Sequence, residues 1–371
     1  MSKLKVVVCG TKFGKYYIKA IENLSEEYEL VGILSRGGSD NSKKCAKRYN
    51  VPLYTDIRQI TKDKIDVACV VIKSTVIGGQ GTNISLQLLK KGIHVIQEHP
   101  VHYDDFVKCL KVAKANKCKY QINSFYPNVD SVCEFLKVAD RVRKKSNLIY
   151  VDASCSIQVL FPLIDILGRA LGGGFSEYKF NAIGKTSNND PFFMLGGEIK
   201  GIPITIRIFN QMDPKNPESN INLLHRIVIG SNIGTLYLTD TLGSVLWNPC
   251  IKEATTDEGL YDIDREDESL NFEVSEIVNP TKVNTFDNLY KRVWPRSIER
   301  SLMELKQNII DNDCFNQLTQ YYLKACRVWN DVGKLIGTVD IVNTYSKEPL
   351  TLKKLFSDCI TNSQNGGGEH E

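Results

Sequence analysis

Apolar runs of strand length alternate with stretches of helical spacing across the first 122 residues, and this rhythm constrains the fold most. Leu4–Cys9 is such a run and ends at Gly10. From Gly14 to about Leu24, Tyr17, Ile18 and Ile21 share one helical face. Tyr28–Leu34 reads as a second strand, and Asn41–Tyr49 as a polar helix capped by Asn41 or Ser42. Ile65–Ile72 is nearly all apolar, as expected of a strand covered on both faces. A helix over Asn83–Lys91 stops at Gly92. Strand Ile93–Gln97, helix Tyr103–Asn116 and strand Lys119–Ile122 follow. Strands alternating with helices predict a doubly wound parallel sheet of α/β Rossmann type.

After Tyr126-Pro127 the texture changes. A helix runs from about Val129 to Lys145, with Lys137, Arg141, Arg143, Lys144 and Lys145 making it basic. The stretches Leu148–Gln158, Tyr178–Gly184, Glu198–Asn210 and Arg226–Thr239 are β-rich. A helix over Pro162–Leu171, ended by Gly172-Gly173-Gly174, interrupts them. Thr255–Asn284 is acidic and irregular, an excursion or a lid, and Arg296–Asn312 and Phe315–Ile336 are helical. At 371 residues two domains are expected: 1–122 as the nucleotide-binding domain and 123–362 as an α+β domain. Residues 363–371 are polar, glycine-rich and expected to be disordered.

The net charge is +4, too small and too dispersed to argue for a nucleic-acid or membrane surface. The N-terminus has no signal-type apolar region, and no run approaches membrane-spanning length. None of the eleven cysteines forms a Cys-x-x-Cys pair, which suits reduced thiols in a cytoplasmic protein. His99 and His102 have no thiol or acidic partners at zinc spacing, so no metal is expected.

Chemistry concentrates at the predicted carboxyl edge of the sheet, where such folds place their ligands. Gly10-Thr11-Lys12-Phe13-Gly14 joins a strand to a helix, so its backbone N–H groups can meet a pyrophosphate. The loop departs from Gly-x-Gly-x-x-Gly, with Lys12 at the middle glycine; that lysine is either a phosphate contact or a solvated turn residue. The second strand ends in Leu34-Ser35-Arg36-Gly37, with no carboxylate before Asp40. An NAD site wants an acid there for the ribose 2′-OH, whereas Ser35 and Arg36 suit the 2′-phosphate of NADPH. Gln97-Glu98-His99-Pro100 ends a later strand, and Tyr126 stands where one domain passes to the next. A histidine with an ordinary pKa of about 6.5 or a tyrosine can donate a proton in such a crevice.

These residues resemble the Gfo/Idh/MocA oxidoreductase family, in which a Glu-x-Pro motif follows a late Rossmann strand. The resemblance implies a C-terminal α+β domain with a large open, mainly antiparallel sheet, through which members pair as homodimers. Most members carry Glu-Lys-Pro and then an Asp and a His that relay a proton from a sugar hydroxyl. This chain has His99 for the lysine, Gln158 for the Asp and Pro162 for the His, in the helix Phe161-Pro162-Leu163-Ile164-Asp165.

A narrower set of motifs is similar to thiazolinyl imine reductases of yersiniabactin- and pyochelin-type siderophore assembly. They are Gly10-x-Lys12-Phe13-Gly14, Ser74-Thr75-Val76-x-Gly78-Gly79-x-Gly81-Thr82, Gln97-Glu98-His99-Pro100-x-His102 and Asn123-x-Phe125-Tyr126-Pro127. This resemblance adds Ser74, Thr75 and Glu98 to the cofactor-binding set. It implies NADPH-dependent reduction of a thiazoline C=N on a nonribosomal peptide synthetase carrier domain, with Tyr126 or His99 as acid. The basic helix Lys137–Lys145 either faces that acidic carrier or is a solvated face. Two other readings stand beside it: a sugar or cyclitol dehydrogenase, and a non-catalytic dinucleotide sensor.

Overall fold

Six parallel strands carry the N-terminal half: β1 (Leu4–Cys9), β2 (Tyr28–Leu34), β3 (Leu53–Tyr54), β4 (Val67–Val70), β5 (His94–Glu98) and β6 (Tyr120–Asn123). The computed structural model describes residues 3–37, 39–72, 74–75, 78–215, 221, 223–256, 258–278, 285–343 and 348–356; the expected disordered tail lies outside them. The strands lie in the order β3-β2-β1-β4-β5-β6, the order of a dinucleotide-binding fold, with the winding reversed between β1 and β4. Val6–Cys9 and Val67–Val70 are wholly buried, since the crossover helices cover both faces. Those helices are α1 (Gly14–Asn23), α2 (Asp40–Tyr49), α3 (Gly81–Lys90) and α4 (Tyr103–Ala115). Ser39, not Asn41 or Ser42, caps α2: its hydroxyl accepts the Ser42 N–H at 3.2 Å from an extended backbone.

A second sheet fills the C-terminal half: β7 (Leu148–Ser156), β8 (Tyr178–Gly184), β9 (Phe192–Ile199), β10 (Ile202–Phe209), β11 (His225–Ser231), β12 (Gly234–Leu238), β13 (Val245–Pro249) and β14 (Glu276–Ile277). The order is β8-β9-β10-β7-β11-β12-β13-β14, antiparallel throughout except between β7 and β10. Two of the β-rich stretches contain hairpin turns. Lys200 and Gly201, with φ of 53° and 72°, turn β9 into β10, and Asn232-Ile233 turns β11 into β12. A turn residue as ordinary as Lys200 does not interrupt the apolar alternation, so the run reads straight through it. Val151, Ala153 and Cys155 of β7 stand beside Ile204, Ile206 and Ile208 of β10, all six turned to the buried face. The irregular acidic stretch returns to this sheet as the short edge strand β14.

Four long helices stand among the other described residues: α5 (Asp130–Lys145), α6 (Leu160–Ala170), α7 (Trp294–Ile310) and α8 (Asn312–Ile336). On α5 three of the basic side chains are paired within the helix: Lys137 with Glu134, and Arg143 and Lys144 with Asp140. Residues 160–168 of α6 are all buried, Asp165 among them at 0% exposure. A buried carboxylate persists only when it is paired. Asp165 accepts from Arg169 Nε at 2.7 Å, Tyr321 Oη at 2.8 Å and Tyr322 Oη at 3.2 Å. Removing it takes the counter-charge from the partly buried Arg169 guanidinium and the carboxylate acceptor from two phenols. Asp165→Ala should therefore lower the unfolding free energy by about 3–5 kcal/mol, read as a fall in urea midpoint at constant m. A loss below about 1 kcal/mol would show that the carboxylate is dispensable.

Candidate active site

The loop from β1 to α1 is shaped by backbone crowding. Gly10 has φ of +97°, and a Cβ there would lie 2.5 Å from the Val71 carbonyl oxygen, so only glycine fits. At Gly14 a Cβ would meet Val8 Cγ1 at 3.1 Å, which brings the start of α1 close onto β1. No side chain at the Phe13 N-cap binds the first turn of α1. That leaves its N–H groups suited to a pyrophosphate. The Phe13 ring packs on Phe125 at 5.5 Å and on Trp294 at 5.7 Å, so this residue can offer a cofactor only its backbone. Lys12 is exposed, whereas Thr11 is buried and shares a hydrogen bond of 2.7 Å with Ser42.

Ser42 is a hub that sequence reasoning missed. Its hydroxyl also bonds Ser35 Oγ at 2.9 Å and Ser39 Oγ at 2.8 Å, tying together the ends of β1 and β2 and the start of α2. Arg36 stays exposed and donates to Gln80 Oε1, just before α3. Asp40 belongs to the first turn of α2, not to the strand end. Ser74–Thr75 pairs antiparallel with Gly78–Gly79 beyond β4, at the same edge. The glycine cradle, the open helix start and the guanidinium together fit a dinucleotide.

Deeper in the crevice, Glu98 ends β5 and accepts from the Tyr17 hydroxyl and, at 3.3 Å, from Asn123 Nδ2. Asn123 Nδ2 also reaches Tyr17 Oη at 2.5 Å, and Ser301 Oγ donates to Asn123 Oδ1 at 2.8 Å. Burial pushes the Glu98 carboxyl up to about 8 against these bonds, so it is mostly protonated at pH 7. His99 Nε2 stands 3.4 Å from Glu98 Oε1, and the two side chains are only 11% and 14% exposed. Burial, reinforced by the neighbouring His225, holds His99 down at about 3, a neutral imidazole. Its ring stacks on Phe161 at 6.1 Å and meets Tyr126 edge to face at 5.9 Å.

Tyr126 is presented by a strained backbone. Phe125 has φ of 63° and ψ of −63°, and the Tyr126 N–H donates to Ser124 O at 2.7 Å. That is a γ-turn, which a bulky residue adopts at a cost of about 1–3 kcal/mol. The turn directs the Tyr126 ring against His99 from the first sheet and His225 from the second. The structure thus brings His99, Glu98 and Tyr126 together. Tyr17, Asn123 and His225 complete the group, and only Asn123 carried a sequence signal, as the first residue of a motif. Gln158 spends its amide on Gln211 O at 3.3 Å, and Pro162 is buried inside α6. Among the described residues, no group of three or more His, Cys, Asp or Glu could hold a metal.

Comparison with known proteins agrees with this geometry. Residues 4–124 match the family described as oxidoreductases with an NAD-binding Rossmann fold (Gfo/Idh/MocA). Residues 145–248 match the C-terminal domain of Irp3-like thiazolinyl imine reductase. No curated protein sequence matches the chain. Among solved structures, an oxidoreductase from Agrobacterium radiobacter in complex with NAD+, L-tartaric acid and magnesium superposes with TM-score 0.64 at 11% identity, over 90% of this chain and 96% of that one. A dehydrogenase from Clostridium difficile gives 0.61 at 12% identity, over 90% and 99%. UDP-N-acetylglucosamine 3-dehydrogenase from Acidithiobacillus ferrooxidans gives 0.60 at 8% identity, over 91% and 98%. Identities this low speak to the fold alone. With residues 4–124 matching the one description and residues 145–248 the other, this chain belongs to the Gfo/Idh/MocA oxidoreductase family as one of its Irp3-like members.

Proposed function

We propose that the chain reduces the C=N bond of a thiazoline to a thiazolidine with NADPH, the substrate being tethered to a nonribosomal peptide synthetase carrier domain. The observation that carries this reading is the pocket around Tyr126: its phenol stands beside two imidazoles held neutral. When bound at the sheet edge, a reduced nicotinamide would supply the hydride that the imine carbon accepts. The imine nitrogen then needs one proton, which Tyr126 donates while His99 orients it and the substrate. Oxidation of a polyol needs a base to take the hydroxyl proton. Gln158 and Pro162 offer none, and Asp165 is locked to Arg169. The 2′-phosphate of NADPH falls to Ser35 and Arg36, with Lys12 beside the pyrophosphate. The free cysteines among the described residues suit a cytoplasmic setting. A homodimer through the outer face of the second sheet, where Tyr150 and Ile183 are exposed, accompanies this reading.

The test is steady-state turnover of a carrier-bound thiazoline with NADPH, alongside inositol and glucose with NADP+. Comparable polyol oxidation would favour the dehydrogenase reading, and NADPH binding with no imine turnover the sensor reading. Tyr126→Phe should lower kcat by about 10–10³-fold with NADPH affinity unchanged, and His99→Ala should do less. The reverse ranking would exchange their roles. Arg36→Ala should raise the Kd for NADPH about tenfold or more and that for NADH less than about twofold. Equal changes would remove Arg36 from the 2′-phosphate site.

Stability should also report on Glu98. Its folded pKa lies above the unfolded one, so the folded state binds the extra proton between about pH 4.5 and pH 8. That contribution is complete below the unfolded pKa and is lost as pH rises to the folded pKa. Glu98→Gln should abolish this decline, so urea midpoints of wild type and variant should converge near pH 5 and part by pH 8. Parallel pH curves would place Glu98 ionised in the fold.

A further inference from the structure

Tyr126 is walled by rings on three sides: Phe125 at 5.0 Å, His99 at 5.9 Å and His225 at 4.9 Å, each edge to face. His99 follows the end of β5, and Phe125 belongs to the turn just after β6. The third, and nearest, comes from β11 of the second sheet, and its polar groups are all engaged. His225 is 0% exposed. Its Nε2 lies 2.9 Å from the Val159 carbonyl, which can only accept, so the proton sits on Nε2. Its Nδ1 therefore accepts from the Thr241 hydroxyl at 2.7 Å, and Thr241 Oγ1 in turn accepts the His225 backbone N–H at 3.1 Å. The ring cannot turn without breaking both side-chain bonds. A phenylalanine would fill the space yet could rotate; this imidazole is a fixed wall.

We propose that His225 is a positioning residue, which with Thr241 and the Val159 carbonyl fixes the angle of the Tyr126 ring and so aims its hydroxyl at the reacting nitrogen. This rests on Tyr126 as the proton donor of the proposed reduction. His225 exchanges no proton itself, since both nitrogens are committed to the protein. Its effect reaches the reaction only through Tyr126, and that sets it apart from a residue that merely supports the fold.

A double-mutant cycle reads this difference. His225→Leu keeps apolar bulk and should lower kcat by about tenfold in the presence of Tyr126, with the KM for NADPH within about twofold. In the Tyr126→Phe background the same change should cost less than about twofold. Equal losses in both backgrounds overturn the proposal. Thr241→Val removes only the bond to Nδ1 and to the backbone N–H. Its cycle should show the same non-additivity with a smaller loss, which keeps the test decisive should His225→Leu fold poorly.

A second readout needs no substrate. With 3-fluorotyrosine incorporated at position 126 alone, slow ring flipping between fixed walls should give two 19F lines. These should merge in the His225→Leu or Thr241→Val protein. A single averaged line with His225 and Thr241 intact overturns the proposal. Absence of imine turnover by the wild type would overturn the proposed reaction instead, and the fluorine lines would still judge His225.

Discussion

A buried carboxyl group holds the crevice together. Glu98 lies where β5 runs out, and its bonds gather Tyr17 from α1 and Asn123 from β6. Ser301 on α7 joins through Asn123. Each of these is a polar group removed from water, and each would be costly if left unpaired. Satisfied together, they fix the spacing between the cofactor helix, two strands of the sheet and a helix from the far end of the chain. The Asn123 carbonyl oxygen also accepts the His99 N–H at 3.1 Å, and Asn123 Oδ1 accepts the Phe125 N–H at 3.0 Å. The network therefore sets where both His99 and the γ-turn begin.

The doubly wound sheet was legible because its strands are buried on both faces and flanked by glycine. Val67–Val70 and His94–Glu98 stand within a residue or two of their apolar runs. The two-residue β3 has no run to see, and it is defined only by its pairing with β2. In the second domain the β-rich stretches cover β7, β8, β10, β11 and β12 but leave out β13 and all but the last two residues of β9. They mark no turn at Lys200-Gly201 or Asn232-Ile233, which join strands of like pattern.

At the crevice, the residues whose position follows from a strand end were readable: Glu98, His99, Arg36. Those that act from a neighbouring element were not. Tyr17 looks like any core-facing residue of α1, and its hydroxyl acquires meaning only when Glu98 is found opposite it. His225 is a lone histidine in a β-run, with no spacing to separate it from filler. Ser42 is one hydroxyl among many until three others converge on it. The protonation states were equally hidden. His99 and His225 depart from an ordinary histidine because of what covers them, and coverage is tertiary.

Helix α7 covers more of the N-terminal half than its place in the chain suggests. Tyr28 donates to the Leu302 carbonyl at 2.6 Å, Asn23 to Glu299 at 2.6 Å, and Asn308 to Gln121 at 2.9 Å. These partners lie 187 to 276 residues apart along the chain. A chain ending after residue 122 would expose the outer face of α1 and leave buried hydroxyl and amide groups without their partners. The nucleotide-binding half is thus a unit of topology and not of autonomy. During synthesis it would wait, incompletely packed, until residues near 310 had emerged, and its final cooperativity would belong to the whole chain.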